Sequence, residues 1–143
     1  MAANTDPIYT LESEVARDGT TGMNQLITAA ATDYTGVDTD TSLVFTAGAN
    51  GSYIQRLRFK AGGTNVATVA RIYINNGSNH TIATNNVFYG EQSLPAATAS
   101  NTVATVDIDY PMNLAIPNGF RVYVGLATAV AAGWVVTPVA GNY

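Results

Sequence analysis

Two aspartates, Asp107 and Asp109, stand two residues apart in Thr105-Val106-Asp107-Ile108-Asp109-Tyr110. On an extended chain that spacing puts both carboxylates on one face. A pair of carboxylates is the equipment of glycoside hydrolysis, one holding a proton as acid and the other acting as base or nucleophile. The same residues also have a role without chemistry. Arg56, Arg58 and Lys60 share one face of Tyr53-Ile54-Gln55-Arg56-Leu57-Arg58-Phe59-Lys60, opposite Leu57 and Phe59. Opposite charges that meet across strands are an ordinary sheet device. Pairing of the two aspartates with this basic row is therefore the expected arrangement.

Other reactive residue types are sparse. His80 is the only histidine and lies in the turn-like Asn79-His80-Thr81. A Ser-His-Asp arrangement would need it beside an activated serine, and no Gly-x-Ser-x-Gly elbow is present. With no cysteine there is no thiol nucleophile, disulfide framework or thiolate metal site, and one histidine is too few for zinc. Asp38-Thr39-Asp40-Thr41 has the look of half a calcium loop, without the glycine and closing glutamate of an EF-hand. The sequons at Asn50, Asn76 and Asn79 coincide with turns, and turn chemistry accounts for them. No phosphate-binding or dinucleotide fingerprint occurs, and Gly62-Gly63-Thr64 reads as a hairpin turn. The expectation is a non-enzyme without cofactor or metal.

Composition narrows the class further. Charged residues make up 11% of the 143, against about 25% in ordinary domains, and Thr, Asn, Ser and Gly take their place. Such a neutral-polar surface suits packing against other proteins. The net charge of −4 opposes a general hold on nucleic-acid phosphates, so the basic row Arg56, Arg58 and Lys60 is read as a protein interface. No signal peptide is recognised at Met1-Ala-Ala-Asn-Thr-Asp-Pro, and no apolar run approaches a membrane span. The expectation is a soluble chain made in the cytoplasm, with neither nucleic acid nor membrane as partner.

The elements that must position these residues read as strands. β-branched and aromatic runs fall near 24–31, 42–47, 52–61, 65–75, 80–90, 101–110, 113–116, 119–128 and 133–140. Asn50-Gly51, Asn76-Gly77 and Asn118-Gly119 mark reversals. Only Gln25 to Ala31 could form a helical turn. About eight alternating strands at short spacing predict an all-β, single-domain antiparallel β-sandwich, jelly-roll-like in its closure. The expected core is Leu57, Phe59, Ile72, Ile74, Val106, Ile108, Val122 and Val124. Tyr53, Tyr73, Tyr89, Tyr110 and Tyr123 fall within strands, where packing is their default use. Residues 1–20 differ, with scattered apolar side chains and four acidic residues against Arg17. They read as an extended N-terminal arm preceding a sandwich domain at 21–143. Pro7, Ile8, Tyr9 and Leu11 are its candidate docking residues, on a neighbour or on the chain's own body.

Several segments carry a resemblance. Phe45-Thr46-Ala47-Gly48-Ala49-Asn50-Gly51-Ser52, Gly63-Thr64-Asn65-Val66-Ala67-Thr68-Val69 and Arg71-Ile72-Tyr73-Ile74-Asn75-Asn76-Gly77 look like parts of small β-sandwich proteins of tailed bacteriophages. The turn Leu114-Ala115-Ile116-Pro117-Asn118-Gly119 and the ending Val139-Ala140-Gly141-Asn142-Tyr143 are similar as well. Over most of residues 43–143 the chain resembles capsid decoration, or cement, proteins, including those of cyanophages. The resemblance implies a virion structural protein on the capsid exterior, bridging major capsid subunits as a homo-oligomer, with a trimer favoured. A head-fibre or tail-associated module that binds host glycans is the alternative. That function predicts aromatic residues in loops.

Overall fold

Short runs of Val, Ile, Thr and aromatics, cut by Asn-Gly and Gly-Gly, build strands and leave helix no room. The computed structural model describes residues 26–143 together with the backbone of a strand at Glu12–Val15. The strands are β1 (Glu12–Val15), β2 (Leu26–Ile27), β3 (Ser42–Thr46), β4 (Ser52–Ala61), β5 (Thr68–Asn75), β6 (Asn86–Leu94), β7 (Asp107–Ile116), β8 (Arg121–Leu126) and β9 (Trp134–Asn142). A single 3₁₀ turn, Ala83–Asn85, precedes β6.

The strands form two antiparallel sheets. One runs β1-β9-β4-β7, with β2 also on the outer edge of β9, and the other runs β3-β8-β5-β6. The pairs β2/β9, β3/β8, β4/β7 and β5/β6 nest inside one another. A long double ribbon rolled on itself gives this order, which is a jelly roll. The inner faces meet over a core that includes Val44, Phe45, Ile54, Leu57, Phe59, Ile72, Val122, Val124, Leu126 and Trp134. Gly51, Gly77 and Gly119 take φ of +86°, +90° and +74°, so the three Asn-Gly pairs turn the chain as read.

The core expectation holds for Leu57, Phe59, Ile72, Val122 and Val124, all fully buried, and for Ile74 and Ile108 at the core margin. It fails at Val106, which is 68% exposed. The ribbon read over 101–110 begins only at Asp107, and 101–106 is loop. The two short strands read at 101–110 and 113–116 are one, β7, running through Pro111. An edge strand tolerates proline because one side of its backbone has no ladder to serve. Gly62-Gly63 is not a hairpin turn either, since β4 and β5 lie in different sheets and the segment crosses between them. At Gln25–Ala31 the structure has the strand β2.

Of the N-terminal reading, Glu12–Val15 pairs with Asn142 to Val139 and extends the sheet of its own chain. Pro7, Ile8, Tyr9 and Leu11 lie outside the described residues.

Candidate functional site

The basic row and the two aspartates meet on the outer face of the β4-β7-β9 sheet. Ladder register places Arg58 opposite Asp109 and Lys60 opposite Asp107. Arg58 donates from Nε and Nη2 to the two oxygens of Asp109, at 2.9 and 3.1 Å. Lys60 Nζ donates to Asp107 Oδ1 at 2.7 Å and to the Thr105 carbonyl at 2.6 Å. Arg56 approaches Asp109 at 3.5 Å and donates to Gln55 Oε1 at 2.7 Å. A β-bulge at Gln55 makes this possible, because between Ile54 and Arg56 the chain of β4 advances two residues against one on β9. By strict alternation Ile54 would share the face of the arginines; the extra residue turns it into the core.

These contacts decide the chemistry of the pair. The hydrogen bond from Lys60 to Asp107, with the Lys60 charge, holds that carboxyl below the usual aspartate value of 3.8. The hydrogen bond from Arg58, with the charges of Arg58 and Arg56, does the same for Asp109 and outweighs the opposing effect of desolvation. A general acid needs a carboxyl raised toward neutrality. Both aspartates are instead ionised and engaged. Exposed pairs of this kind contribute little to stability, so their main effect is to cancel charge on the face. Three cations meet two anions there.

The outer face of the other sheet is not open in the same way. Arg71, Tyr73 and Tyr123 point away from the core, yet all three are buried. Residues 31–41 of the connection between β2 and β3 lie over Arg71 and Tyr73 as a strap. Arg71 Nη1 donates to the carbonyls of Ala31 and Thr32 at 3.2 and 2.8 Å, and Nη2 donates to the Tyr34 hydroxyl at 3.0 Å. Its guanidinium sits 4.0 Å from the Tyr34 ring centroid, and the same ring meets Phe88 edge-on. The Tyr73 hydroxyl donates to the Asp33 carbonyl at 2.7 Å. Burial, helped by the nearby Asp33 charge, pushes that hydroxyl up to about 12. Asp33 organises the strap by accepting from the Thr35 amide and hydroxyl and from the Gly36 and Asp38 amides, at 2.6 to 3.0 Å. Partial burial raises the Asp33 carboxyl, but these hydrogen bonds outweigh it and lower it overall.

The remaining candidates are structural. The His80 ring stacks on Tyr123 with centroids 4.7 Å apart. Asp38 Oδ1 accepts the Asp40 amide at 2.9 Å, an Asx turn. Among the described residues no group of three or more His, Asp or Glu side chains could hold a metal. Asn79 Oδ1 accepts from the Thr81 amide and hydroxyl, closing a turn of the same kind. No described helix is long and apolar enough to cross a membrane.

Comparison with protein families, curated proteins and solved structures finds no match for this chain. The site is therefore described by its own geometry.

Sequence reasoning found the ion-paired face and missed the strap. The signal was the residue types at the outward positions of β5, Arg71, Tyr73 and Asn75. A large aromatic and an arginine with polar heads suit a face that is packed upon better than one left in water.

Proposed function

We propose that this protein is a non-enzymatic virion structural protein that decorates a phage capsid and stabilises it by bridging major capsid subunits. The observation that supports the non-enzymatic part is the ion-paired outer face: Asp107 and Asp109, the carboxylates considered for catalysis, are occupied by Lys60 and Arg58. A three-stranded face whose charges are largely paired among themselves suits a broad protein contact. Among the described residues its three cations all lie within 3.5 Å of an aspartate, which leaves little charge for phosphates or acidic polymers. The low overall charge, the jelly-roll frame and the resemblance of residues 43–143 to capsid decoration proteins support the same reading. Bridging would act through added interface area, on the order of 800 Å² per partner at each specific contact, multiplied over many symmetric copies.

The test is cryo-electron microscopy of the protein mixed with expanded, undecorated capsids of the phage that encodes it, with particle stability followed by heating. Ordered density at junctions between capsid subunits, with a more heat-resistant shell, is the expected result. Protein that stays in solution removes the proposal.

Tyr34 and Phe88 favour the second reading, a head-fibre or tail-associated glycan-binding module. Tyr34 lies in a loop, is 56% exposed, and adjoins the exposed Phe88. A glycan panel separates the two functions: saturable binding abolished by Tyr34→Ala would select the glycan module.

A further inference from the structure

The end of the sandwich around Trp134 has an apolar cavity of about 180 Å³, walled by Pro95, Ala96, Ala97, Ala104, Val106 and Trp134 among others. Its walls are fixed. Asn65 and Ala97 exchange two backbone hydrogen bonds of 2.9 Å, and Thr64 Oγ1 accepts the Ala99 amide at 3.0 Å. The Asn65 side chain donates to the Gly133 carbonyl at 2.6 Å and accepts the Ala132 amide at 2.9 Å, which anchors the turn leading into Trp134. Trp134 is 1% exposed, yet its indole N–H has no hydrogen-bond partner. Most buried donors are satisfied; this one has no accessible surface of its own and is closed off from the cavity.

The surroundings say what kind of molecule suits the cavity. Val66 and Val103, 64% and 68% exposed, follow Asn65 and precede Ala104 in the chain, and the cavity wall itself includes the equally exposed Val106. Residues 95–106 contain no charged side chain. A small molecule filling the cavity would leave those valines in water, and the neighbouring cation, Lys60, is already held by Asp107 and the Thr105 carbonyl rather than free for a nucleic acid. An extended, uncharged stretch of polypeptide supplies an apolar side chain for the cavity and further apolar surface to cover the valines. An apolar hole of about 150 Å³ accepts a benzene-sized group, so one aliphatic side chain fits.

We propose that this cavity is a self-association site, taking the apolar segment Pro7-Ile8-Tyr9 of a second copy of the chain. The segment is uncharged and carries bulky apolar side chains. Its tether argues for a second copy over the same one. Glu12 pairs with Asn142, at the opposite end of β9 from Trp134. That separation is about 26 Å at the rise of a strand, so a segment of the same chain would have to double back along the whole sheet. A neighbour has no such constraint. The inference concerns how copies join each other, and it holds or fails independently of what the assembly decorates.

Trp134 is the only tryptophan, so its fluorescence reports on the cavity directly. The full chain is followed by light scattering and by Trp134 emission as its concentration rises. Two single variants accompany it, Ile8→Asp in the segment and Ala104→Phe in the cavity, with Val106→Asp as a second cavity variant and circular dichroism as the check on folding. The expected result is association of the wild type with an emission shift at the same midpoint, and loss of both in each folded variant by at least tenfold in concentration. Ile8→Asp retains a cavity and Ala104→Phe retains a segment, so an equimolar mixture regains one-to-one pairing. A monomeric wild type, variants that associate like it, or a mixture that stays unpaired each overturns the proposal.

Discussion

The two outer faces of this sandwich use the same residue types in opposite ways. On the β4-β7-β9 side, Arg58 and Lys60 meet Asp109 and Asp107 across one ladder and remain partly in water. On the β5-β8 side, Arg71 lies under residues 31–41, donating to two carbonyls and a tyrosine hydroxyl while touching Glu91 only at 3.3 Å. The first arginine trims surface charge. The second fastens a loop to a sheet. An arginine's contribution thus follows from whether it is itself buried and bonded to backbone carbonyls or sits in water beside exposed carboxylates, which water serves almost as well.

The contrast breaks most readily at Tyr73. Truncation to Ala removes a buried ring from beneath the strap together with its hydrogen bond to Asp33, and roughly 3–5 kcal/mol should be lost. Urea unfolding checks this, and a loss under about 1 kcal/mol would mean that the strap is not packed on the sheet. Gly36 tests the same contact more gently. Its φ is +73°, and a Cβ there would stand 2.9 Å from the Tyr73 ring. Gly36→Ala should therefore cost about 1–2 kcal/mol for the backbone alone, with hydrogen exchange accelerated first at the amides of Gly36 and Asp38.

Acid sharpens the comparison. Asp33, Asp107 and Asp109 all have carboxyls below the ordinary value of 3.8. A carboxyl lowered by folding binds its proton more readily in the unfolded chain. Its stabilisation is therefore present above that ordinary value and is lost as the pH falls through the lower folded one. Unfolding midpoints measured from pH 6 down to 2 should fall in this acid range, and Asp33→Asn should flatten the fall more than Asp109→Asn. The smallest effect belongs to Arg58→Ala, which should leave the unfolding midpoint close to that of the wild type. A shift as large as that of Arg71→Ala would place the exposed face on the same footing as the strapped one.

Much of this was legible in the chain itself. Alternation in residues 56–60 and 107–110 sorted core from surface correctly, because a strand with one face in the core must repeat with period two. The Asn-Gly pairs located three turns for a steric reason that holds in any context. The ion pairs followed from two short alternating segments of opposite charge. The failures have physical causes as well. Val106 continues the valine-threonine pattern of its strand, but no neighbour pairs with it, and propensity without a partner makes a loop. The strap escaped notice because its contacts join residues about 40 positions apart, and no local pattern in 31–41 announces which surface it will cover. The cavity at Trp134 was hidden for the same reason, being assembled from segments around 65, 97, 104 and 134.

The nested order of strand pairs carries a consequence for how the molecule comes into being. β5 and β6 are the only partners in that nest joined by a single short connection; each pair outside them closes a longer loop, and β2 must wait for β9. Loop closure has to be met before long-range pairing is rewarded, which makes such topologies slow folders. The β5-β6 ribbon is thus the natural nucleus, with β4/β7 and β3/β8 zipping outward from it. During synthesis, β4 leaves the ribosome with an unpaired edge that only β9 can fill, and β9 comes last among the strands. The charged and bulged stretch from Gln55 to Lys60 occupies that waiting strand. There it serves a second purpose, as a guard against premature pairing with the strands of other nascent chains.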